Sequence, residues 1–525
     1  MCTILVVIYS LFLLGCPAPL DVSSATTYSV SYDGNGNTSG TVPVDSHKYK
    51  QADTVTILAN SGSLLKSSYT FAGWNTKADG TGTSYPGGVS FAMGTANVTL
   101  YAVWTQNPTY TVTYVANATL ASGSVPTDNN HYLQGVPVTV LGNTGNMVVT
   151  GDTFTGWNTQ PNGSGTNYAP GATFTMGTSN VTLYTTWVKR FLYVANYWSC
   201  DVSAFSVGSD GALSQLSGSP FAAAPSGYPY SIAVSPNSSF LYVANSNTSN
   251  ISAYSIGSNG ALTQLAGSPF AAGSGPEGVV VSPNGSFLYV ADSGVGKVSG
   301  YSINADGTLT PLSGSPFAAG PYPSGIAISP NGSFLYVTNS GSKAVAGFSI
   351  GSDGALTQLS GSPFTAGSGA VASAAVVSPN GSFLYLASLT NSKVYAFSID
   401  SGGGLGQLSS SPFALAGQDY GGIAVTPNGS FLYATNYPGT HGLTAFSIGS
   451  DGALTQLSGS PYTITGAWGD AISPDGSFLY VAVYGSGRVG AYSIGSDGAL
   501  TQVTGSQFTA GTYPIGLAVA TLKGP

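Results

Sequence analysis

The stretch Gly325-Ile-Ala-Ile-Ser-Pro-Asn-Gly-Ser-Phe-Leu-Tyr-Val-Thr-Asn339 returns, with small changes, along the C-terminal part of the sequence. Two apolar runs flank a central Asn-Gly-Ser, which predicts two β-strands joined by a tight turn. The Phe-Leu-Tyr core occurs seven times, at intervals of 47 to 49 residues, beginning at Phe191, Phe240, Phe287, Phe334, Phe383, Phe431 and Phe478. A fixed period of this length indicates a repeat architecture.

Each repeat also contains a third apolar run, such as Val345 to Ile350, and a fourth run near Leu356 to Leu359. Four short strands in 47 to 49 residues are typical of a propeller blade. The first Phe-Leu-Tyr has no preceding strand, whereas the chain finishes on that strand as Gly516-Leu-Ala-Val-Ala520. The sequence therefore predicts a mainly β protein with a seven-bladed β-propeller, in which the C-terminal strand closes the first blade as its innermost strand.

A second kind of repeat precedes the blades and occurs twice, with a period of 82 to 83 residues. Phe71-Ala-Gly-Trp-Asn-Thr76 returns as Phe154-Thr-Gly-Trp-Asn-Thr159, and Asn97-Val-Thr-Leu-Tyr-Ala-Val-Trp104 returns as Asn180-Val-Thr-Leu-Tyr-Thr-Thr-Trp187. Alternating apolar positions predict half-buried strands. Each copy has two Trp and several Tyr and Phe, which suffice for a small independent core.

Composition excludes several classes of protein. Only 6% of the 525 residues are charged and the net charge is −8, so neither a coiled coil nor a nucleic-acid-binding protein is expected. Hydrophobic residues make up 42% and aromatic residues 11%, which argues against disorder. The surface must be kept polar by Ser, Thr, Asn and Gly.

The N-terminus has an apolar run from Ile4 to Leu14, which is too short to span a bilayer but fits a signal peptide. The run ends in Leu13-Leu14-Gly15-Cys16, which resembles a bacterial lipobox and implies lipidation of Cys16. An ordinary secretory signal, cut near Ala18 or Ala25, is the alternative. We therefore expect an exported cell-envelope or cell-surface protein, held to the membrane through a lipid anchor only. Removal of Cys2 and lipidation of Cys16 would leave Cys200 without a disulfide partner.

Both repeats resemble known families. The Phe-x-Gly-Trp-Asn-Thr repeats resemble the internalin-type B repeat, or Listeria–Bacteroides repeat, which implies small β-grasp-like domains in a stalk or adhesive module of bacterial surface proteins. The blades, with Tyr336-Val337-Thr338-Asn339, resemble the seven-bladed lactonase propellers. The expected organisation is a signal peptide (1–15), a tether (16–26), two B-repeat domains (27–106 and 107–188) and the propeller (189–525).

Strand order predicts which residues share one face of the propeller. The loops before each inner strand and the loops after each Phe-Leu-Tyr strand should lie on the same face. We expect this ligand-binding face to carry Asn196, Asn245, Asp292, Asn339, Asn436 and Trp468. For the Asn and Asp residues, capping of strand-end backbone is the favoured role and ligand binding is the alternative.

Catalytic candidates are few. Asp470 stands where the other blades have Ile232, Val279, Ile326, Ala375, Ile423 or Leu517, so it either faces the axial channel or needs a buried partner. Glu277, Asp419 and His441 complete the set of acids and histidine expected near that face. Lactonases of this fold carry His, Arg and acidic residues in the axial pocket, whereas this propeller has one histidine and few basic residues. The repeated Asp-Gly turns are typical of turn chemistry, so neither a metal nor a cofactor is predicted.

These observations favour a non-catalytic binding or adhesion module, presented on a stalk of B-repeats, with an extracellular protein or glycan as its partner. One alternative is a lactone hydrolase, similar to 6-phosphogluconolactonase, that uses the axial pocket of the propeller. A second alternative is a structural surface spacer with no specific ligand.

Overall fold

Strands and tight turns make up almost all of the computed structural model, which describes residues 26–365, 372–388, 390–415, 421–437 and 442–524. One 3₁₀ turn, Tyr484–Ser486, is the only helical element in these ranges, and none of their elements is an apolar helix of membrane-spanning length. The mainly β fold predicted from the sequence is therefore confirmed. Cys16 and the rest of the predicted signal peptide, together with Asp419 and His441, lie outside the described residues.

Seven antiparallel sheets form the blades, numbered here so that blade 1 contains Phe191. From blade 1 to blade 7, the inner strands are Pro514–Lys523, Pro229–Val234, Pro276–Val281, Pro323–Ile328, Ala372–Val377, Ile423–Val425 and Ala467–Ile472. The second strands are Val181–Asn196, Phe240–Asn245, Phe287–Asp292, Phe334–Asn339, Phe383–Ser388, Phe431–Thr435 and Phe478–Val483.

The outer part of each blade is equally regular. The third strands are Asp201–Val207, Asn250–Ile256, Lys297–Ile303, Ala344–Ile350, Lys393–Ile399, Leu443–Ile448 and Arg488–Ile494. The fourth strands are Leu213–Gln215, Leu262–Gln264, Leu309–Pro311, Leu356–Gln358, Leu405–Gln407, Leu454–Gln456 and Leu500–Gln502. Six blades add a two-residue strand against the third strand, at Phe221–Ala222, Phe270–Ala271, Phe317–Ala318, Phe364–Thr365, Phe413–Ala414 and Phe508–Thr509.

The C-terminal strand closes the ring, as the sequence predicts. It pairs antiparallel with the second strand of blade 1, from Lys523 opposite Val188 to Pro514 opposite Asn196. Across the seam between blades 7 and 1, Arg190 Nη2 lies 2.7 Å from Asp475 Oδ2, and the Arg190 side chain is almost completely buried. Closure pairs the edge of Val181–Asn196, which would otherwise be free to associate with another chain.

Neighbouring blades are joined by the Phe-Leu-Tyr motif. The fully buried Tyr of each motif donates a hydrogen bond to a turn glycine of the next blade, from Tyr193 to Gly260 O at 2.7 Å around to Tyr480 and Gly211 O at 3.4 Å. The Phe of the same motif packs over that glycine, as Phe191 does on Gly260. The intermediate Tyr–Gly distances, between 2.7 and 3.0 Å, join Tyr242 to Gly307, Tyr289 to Gly354, Tyr336 to Gly403, Tyr385 to Gly452 and Tyr433 to Gly498.

The N-terminal repeats form small mixed sheets. In the first, Val98–Gln106 runs between Val30–Asp33, which is parallel to it, and Tyr69–Asn75, which pairs in turn with Ser84–Tyr85. In the second, Val112–Val115 and Thr153–Asn158 both pair with Val181–Asn196, and Asn167–Tyr168 pairs with Thr153–Asn158. Two-stranded ribbons complete them: Thr54–Thr56 with Ser90–Ala92, Pro137–Thr139 with Thr173–Thr175, and Thr109–Tyr110 with Tyr132–Leu133.

Each repeat has its own aromatic core. Trp74 and Trp157 are fully buried, and their indole N–H groups donate to Leu58 O at 3.0 Å and Leu141 O at 2.8 Å. Contacts divide the chain into two compact units. The first comprises the described residues up to Val112 with Asp128–Thr139 and Thr173–Val181, and the second comprises Thr113–Thr127, Val140–Ala172 and the described residues from Thr182 onward.

Candidate functional site

Backbone hydrogen bonds join the two sets of loops that the strand order predicts to share a face. Tyr197 N donates to Tyr513 O at 2.9 Å, Ser246 N to Tyr228 O at 3.1 Å, and Tyr484 N to Gly466 O at 2.9 Å. In each case a loop after a second strand contacts a loop before an inner strand. We call this the loop end of the propeller, and the opposite end, with the Asn-Gly-Ser and Asp-Gly turns, the turn end.

A cavity of about 410 Å³ lies on the propeller axis. Its position follows from its walls, because inner strands or the loops leading into them contribute from all seven blades. The wall is mostly Gly, Ser, Ala and aliphatic side chains, with the larger Tyr230, Glu277 and Trp468. Among the described residues that line the cavity, only Glu277 is charged.

Glu277, the single glutamate of the chain, is half-buried at the start of the inner strand of blade 3. Burial raises the pKa of its carboxyl group, and a hydrogen bond with the Ser293 side chain partly opposes that rise. The carboxylate is also close enough to Tyr197 to raise the pKa of its phenol, although burial contributes most to that shift. Glu277 thus places a carboxyl group on the cavity wall, within electrostatic range of Tyr197.

A continuous series of aromatic rings, which we call the aromatic belt, occupies blades 6, 7, 1 and 2 at the loop end. Two pairs stack nearly parallel: Tyr484 on Tyr513, with centroids 4.4 Å apart, and Trp198 on Tyr228, with centroids 5.6 Å apart. The remaining contacts, at 4.9 to 6.3 Å, link these pairs into one series. The belt consists of Tyr437, Trp468, Tyr484, Tyr513, Trp198, Tyr228, Tyr197 and Tyr230.

The belt breaks the symmetry of the propeller. Directly after the second strand, or one residue beyond it in blade 6, blades 1, 6 and 7 have Tyr197, Tyr437 and Tyr484. Blades 2, 3 and 4 have Ser246, Ser293 and Ser340 at the corresponding position. The sequence analysis identified only Trp468 of the belt, although comparing the residue that follows each Phe-Leu-Tyr strand would have pointed to the three tyrosines.

The five Asn and Asp residues expected on this face lie beneath it. Asn196, Asn245, Asp292, Asn339 and Asn436 are all at most 1% exposed, and none lines the cavity. Asn196 and Asn245 each donate to side chains of the third strand of their own blade, and Asn339 donates to Ala319 O at 2.9 Å. Burial raises the pKa of Asp292 to about 6, while hydrogen bonds with Ser299 act in the opposite direction. These side chains hold the ends of strands.

Asp470 occupies the position that the sequence assigned to it, opposite Val481, where the other blades place aliphatic residues. It lies against the backbone of blade 6, because a Cβ added to Gly422 would be 2.1 Å from Asp470 Oδ1. Its Oδ2 is buried without a hydrogen-bond partner among the described residues, and burial raises the pKa of the carboxyl to about 8. The carboxyl is therefore largely protonated at neutral pH, and it does not belong to the cavity wall.

Other chemistry is sparse in the described ranges. No three His, Cys, Asp or Glu side chains come together there as a metal site would require. The Asp-Gly turns are closed by their own aspartates, as when Asp210 Oδ1 accepts from Ala212 N at 3.0 Å. A second cavity, of about 720 Å³, lies in the second unit against Trp187, Thr521 and Lys523.

Comparisons with known proteins agree with this architecture. Residues 28–103 and 110–186 match the Listeria-Bacteroides repeat domain, so the N-terminal part consists of two such repeats. A protein of Evansella cellulosilytica, provisionally named a Gly-rich membrane protein, is 39% identical over 165 residues, which are 30% of this chain and 18% of that protein. Another, provisionally named a membrane protein of the same organism, is 40% identical over 85 residues, or 16% and 12% of the two chains. The chain thus spans less than a fifth of the length of these relatives.

Solved structures of propellers are similar to the C-terminal part. A protein of Bacteroides uniformis, provisionally named a 6-phosphogluconolactonase, is 22% identical with a TM-score of 0.56, over 63% of this chain and 99% of that one. The periplasmic gluconolactonase of Pseudomonas aeruginosa is 20% identical with a TM-score of 0.53, over 63% and 99%. At these identities the likeness concerns the fold alone. Residues 172–416 and 406–514 match the model of the lactonase seven-bladed β-propellers, and this chain therefore belongs to that family.

Proposed function

We propose that the propeller is a non-catalytic carbohydrate-binding module of the bacterial cell envelope, presented on the two Listeria–Bacteroides repeats. The observation that carries the proposal is the aromatic belt beside the axial cavity. Planar aromatic rings offer large, rigid apolar faces, and a tyrosine hydroxyl or indole N–H at the ring edge supplies a hydrogen bond. That combination suits a sugar, whose ring has an apolar C–H face and a polar rim of hydroxyl groups.

Exposure within the belt supports this function. Trp198 is 58% exposed although it stacks on Tyr228, so one face of an aromatic pair is available to a ligand. Apart from Glu277, the described wall of the cavity is uncharged, and its serine side chains can exchange hydrogen bonds with hydroxyl groups. An extracellular protein is the other partner that the sequence leaves open, and binding experiments distinguish the two.

Glycan arrays probed with the full chain test the proposal. Trp198→Ala and Tyr228→Ala should each weaken glycan binding by about fivefold or more, since truncation of a central aromatic contact costs upwards of ~1 kcal/mol. Tyr322→Ala is the matched control, because Tyr322 is 62% exposed in the equivalent loop of blade 4 and has the same backbone conformation as Tyr228. Unchanged binding by the Trp198 and Tyr228 variants, or binding to protein arrays alone, would contradict the proposal.

Lactone hydrolysis is the second candidate, and Glu277 is the observation that favours it. A half-buried carboxylate with a raised pKa, on the wall of the axial cavity, could act as a general base. Against this function, no described residue of that wall is a histidine, lysine or arginine that would stabilise an oxyanion or a phosphate. A structural spacer would need neither the belt nor Glu277.

A panel of lactones separates enzyme from binding module. We expect no hydrolysis above background with the full chain. Loss of a general base typically lowers the rate by ~10²–10⁴, so turnover that Glu277→Gln abolishes would establish a hydrolase. The double variant Glu277→Gln with Asp470→Asn removes both candidate carboxyl groups that lie in the described part of the chain.

Attachment to the envelope through Cys16 belongs to the same proposal. It is supported by the lipobox-like Leu13-Leu14-Gly15-Cys16, by the membrane-protein names of the two relatives and by the surface-protein character of the repeats. Cys16→Ser should abolish labelling with a radioactive fatty acid and release the protein in soluble form. A variant that still partitions with membranes would contradict lipid anchoring.

A further inference from the structure

The electrostatics of the axial cavity are set by a single carboxylate. Glu277 is the only charged side chain among the described residues of the cavity wall. Its one side-chain hydrogen bond, with Ser293, leaves acceptor capacity on a carboxylate that could take several donors. The one ion pair of the described chain, between Arg190 and Asp475, lies at the turn end, so Glu277 has no ion-pair partner in the described part of the protein.

A carboxylate in this position disfavours some ligands and favours others. Partial burial makes its negative charge unfavourable, which is why the pKa of Glu277 is raised. An anionic ligand would add repulsion, whereas a cation within hydrogen-bonding distance would offset the desolvation. The adjacent aromatic rings attract a cation as well, through the negative faces of their π-systems.

We propose that the cavity selects an amine-bearing saccharide, with the protonated amine of a 2-amino-2-deoxy sugar at Glu277 and the apolar face of a sugar ring on the belt. This inference rests on the carbohydrate-binding function proposed above. Tyr197 connects the cavity to the aromatic belt. Its ring stacks on Tyr228, with centroids 4.9 Å apart, and the nearby charge of Glu277 contributes to the raised pKa of its phenol. Tyr230, which borders the cavity, lies 6.3 Å from Tyr197.

Paired ligands test the charge requirement. Isothermal titration of the full chain with glucosamine oligomers, at a pH where the amines are protonated, is compared with the N-acetylated oligomers of the same length. We expect the amine form to bind about tenfold or more tightly, in line with hydrogen bonds to charged groups. Glu277→Gln should remove that preference, so that the two oligomers bind the variant with equal affinity.

Salt dependence gives a measurement that does not rely on a variant. Raising the NaCl concentration should weaken binding of the amine form and have little effect on the acetylated form, because only the former includes an ion pair. Equal affinity for both oligomers, or a preference that survives Glu277→Gln, would overturn the inference and leave the proposed function intact. Tighter binding of oligolysine than of the amino sugar would also overturn it. If neither oligomer binds and Trp198→Ala has no effect with any glycan, the proposed function itself fails.

Discussion

The two ends of the propeller are built from the same repeat, yet they differ in how closely the blades resemble one another. At the turn end, one hydrogen bond within the turn that follows the inner strand recurs almost unchanged, in which a Ser or Thr hydroxyl donates to the side-chain oxygen of an Asn or Asp two residues later. Ser282 Oγ donates to Asn284 Oδ1 at 2.6 Å, and the equivalent bond in five other blades is 2.6 or 2.7 Å. At the loop end, the residue that follows the second strand is Tyr in three blades and Ser in three others. The blades therefore keep the same residues at the turn end and differ at the loop end, which indicates that different constraints act on the two ends.

Packing explains the uniform end. Each turn glycine there receives the Phe and the Tyr of the preceding blade, so a change in any one turn disturbs two blades. The loop end is joined mainly by backbone hydrogen bonds within a blade, which tolerate many side chains. Sequence variation can therefore build a ligand site at the loop end without loss of the fold, which is the general relation between scaffolds and the loops they carry.

The largest effect is expected from deleting the strand that closes the ring of blades. Deleting residues 514–525 removes the inner strand of blade 1 and exposes the edge of Val181–Asn196, so we expect loss of cooperative folding and aggregation. Circular dichroism melting and size-exclusion chromatography measure this. Deleting only residues 524–525 is the control and should leave the melting temperature unchanged. If the protein that lacks residues 514–525 still melts cooperatively at the original temperature, the C-terminal strand is not needed to close the ring.

Asp470 should produce the next largest effect, and the effect depends on pH. Its folded-state pKa of about 8 lies above the ordinary aspartate pKa of 3.8, so between these two pH values the unfolded chain releases a proton that the folded chain retains. The free energy of unfolding therefore falls as the pH rises from about 4 to about 8, by at most ~1.4 kcal/mol per pH unit.

Asp470→Asn removes this titration. The variant should match the wild type near pH 4 and be more stable near pH 8, as measured by urea denaturation at both values. A stability difference that does not change with pH would show that the carboxyl is ionised in the folded protein. The measurement thus tests whether Asp470 is tolerated at its inner-strand position only in its neutral form.

The turn end can be tested at a single glycine. A Cβ at Gly260 would lie 2.3 Å from Phe191 Cδ1, and the residue has a φ of +81°. Gly260→Ala should lower the free energy of unfolding by about 1–3 kcal/mol from overpacking, in addition to about 1–2 kcal/mol for the left-handed backbone. Gly459→Ala is the matched control, because Gly459 has a φ of +86° and nothing within 4 Å of its Cβ position. Equal costs at the two sites would mean that Phe191 does not restrain the turn.

These differences also explain how much could be read from the sequence. The blade period and the unpaired end strands fixed the fold and its closure, because Phe191, Tyr193 and their equivalents recur at a constant interval. The candidate site was harder to predict, since Tyr228 and Trp198 lie in neighbouring blades and Tyr513, far along the sequence, joins them only when the ring closes. Asn196 and its equivalents end the second strands at that face, but their side chains are buried, and Asn196 donates to Asp201 and Ser203 of the next strand.

The smallest effect concerns the seam where the ring closes. Six of the seven Tyr–Gly bonds measure 2.7 to 3.0 Å, whereas Tyr480 Oη lies 3.4 Å from Gly211 O. Tyr193→Phe should therefore lower the free energy of unfolding by about 0.5–1.5 kcal/mol, the usual net value of a hydrogen bond. Tyr480→Phe should cost less, because its bond is already long and the Arg190–Asp475 ion pair joins the same two blades. Urea denaturation of both variants measures the difference, and an equal or larger loss for Tyr480→Phe would mean that the closing seam depends on its tyrosine at least as strongly as the interface of Tyr193 does.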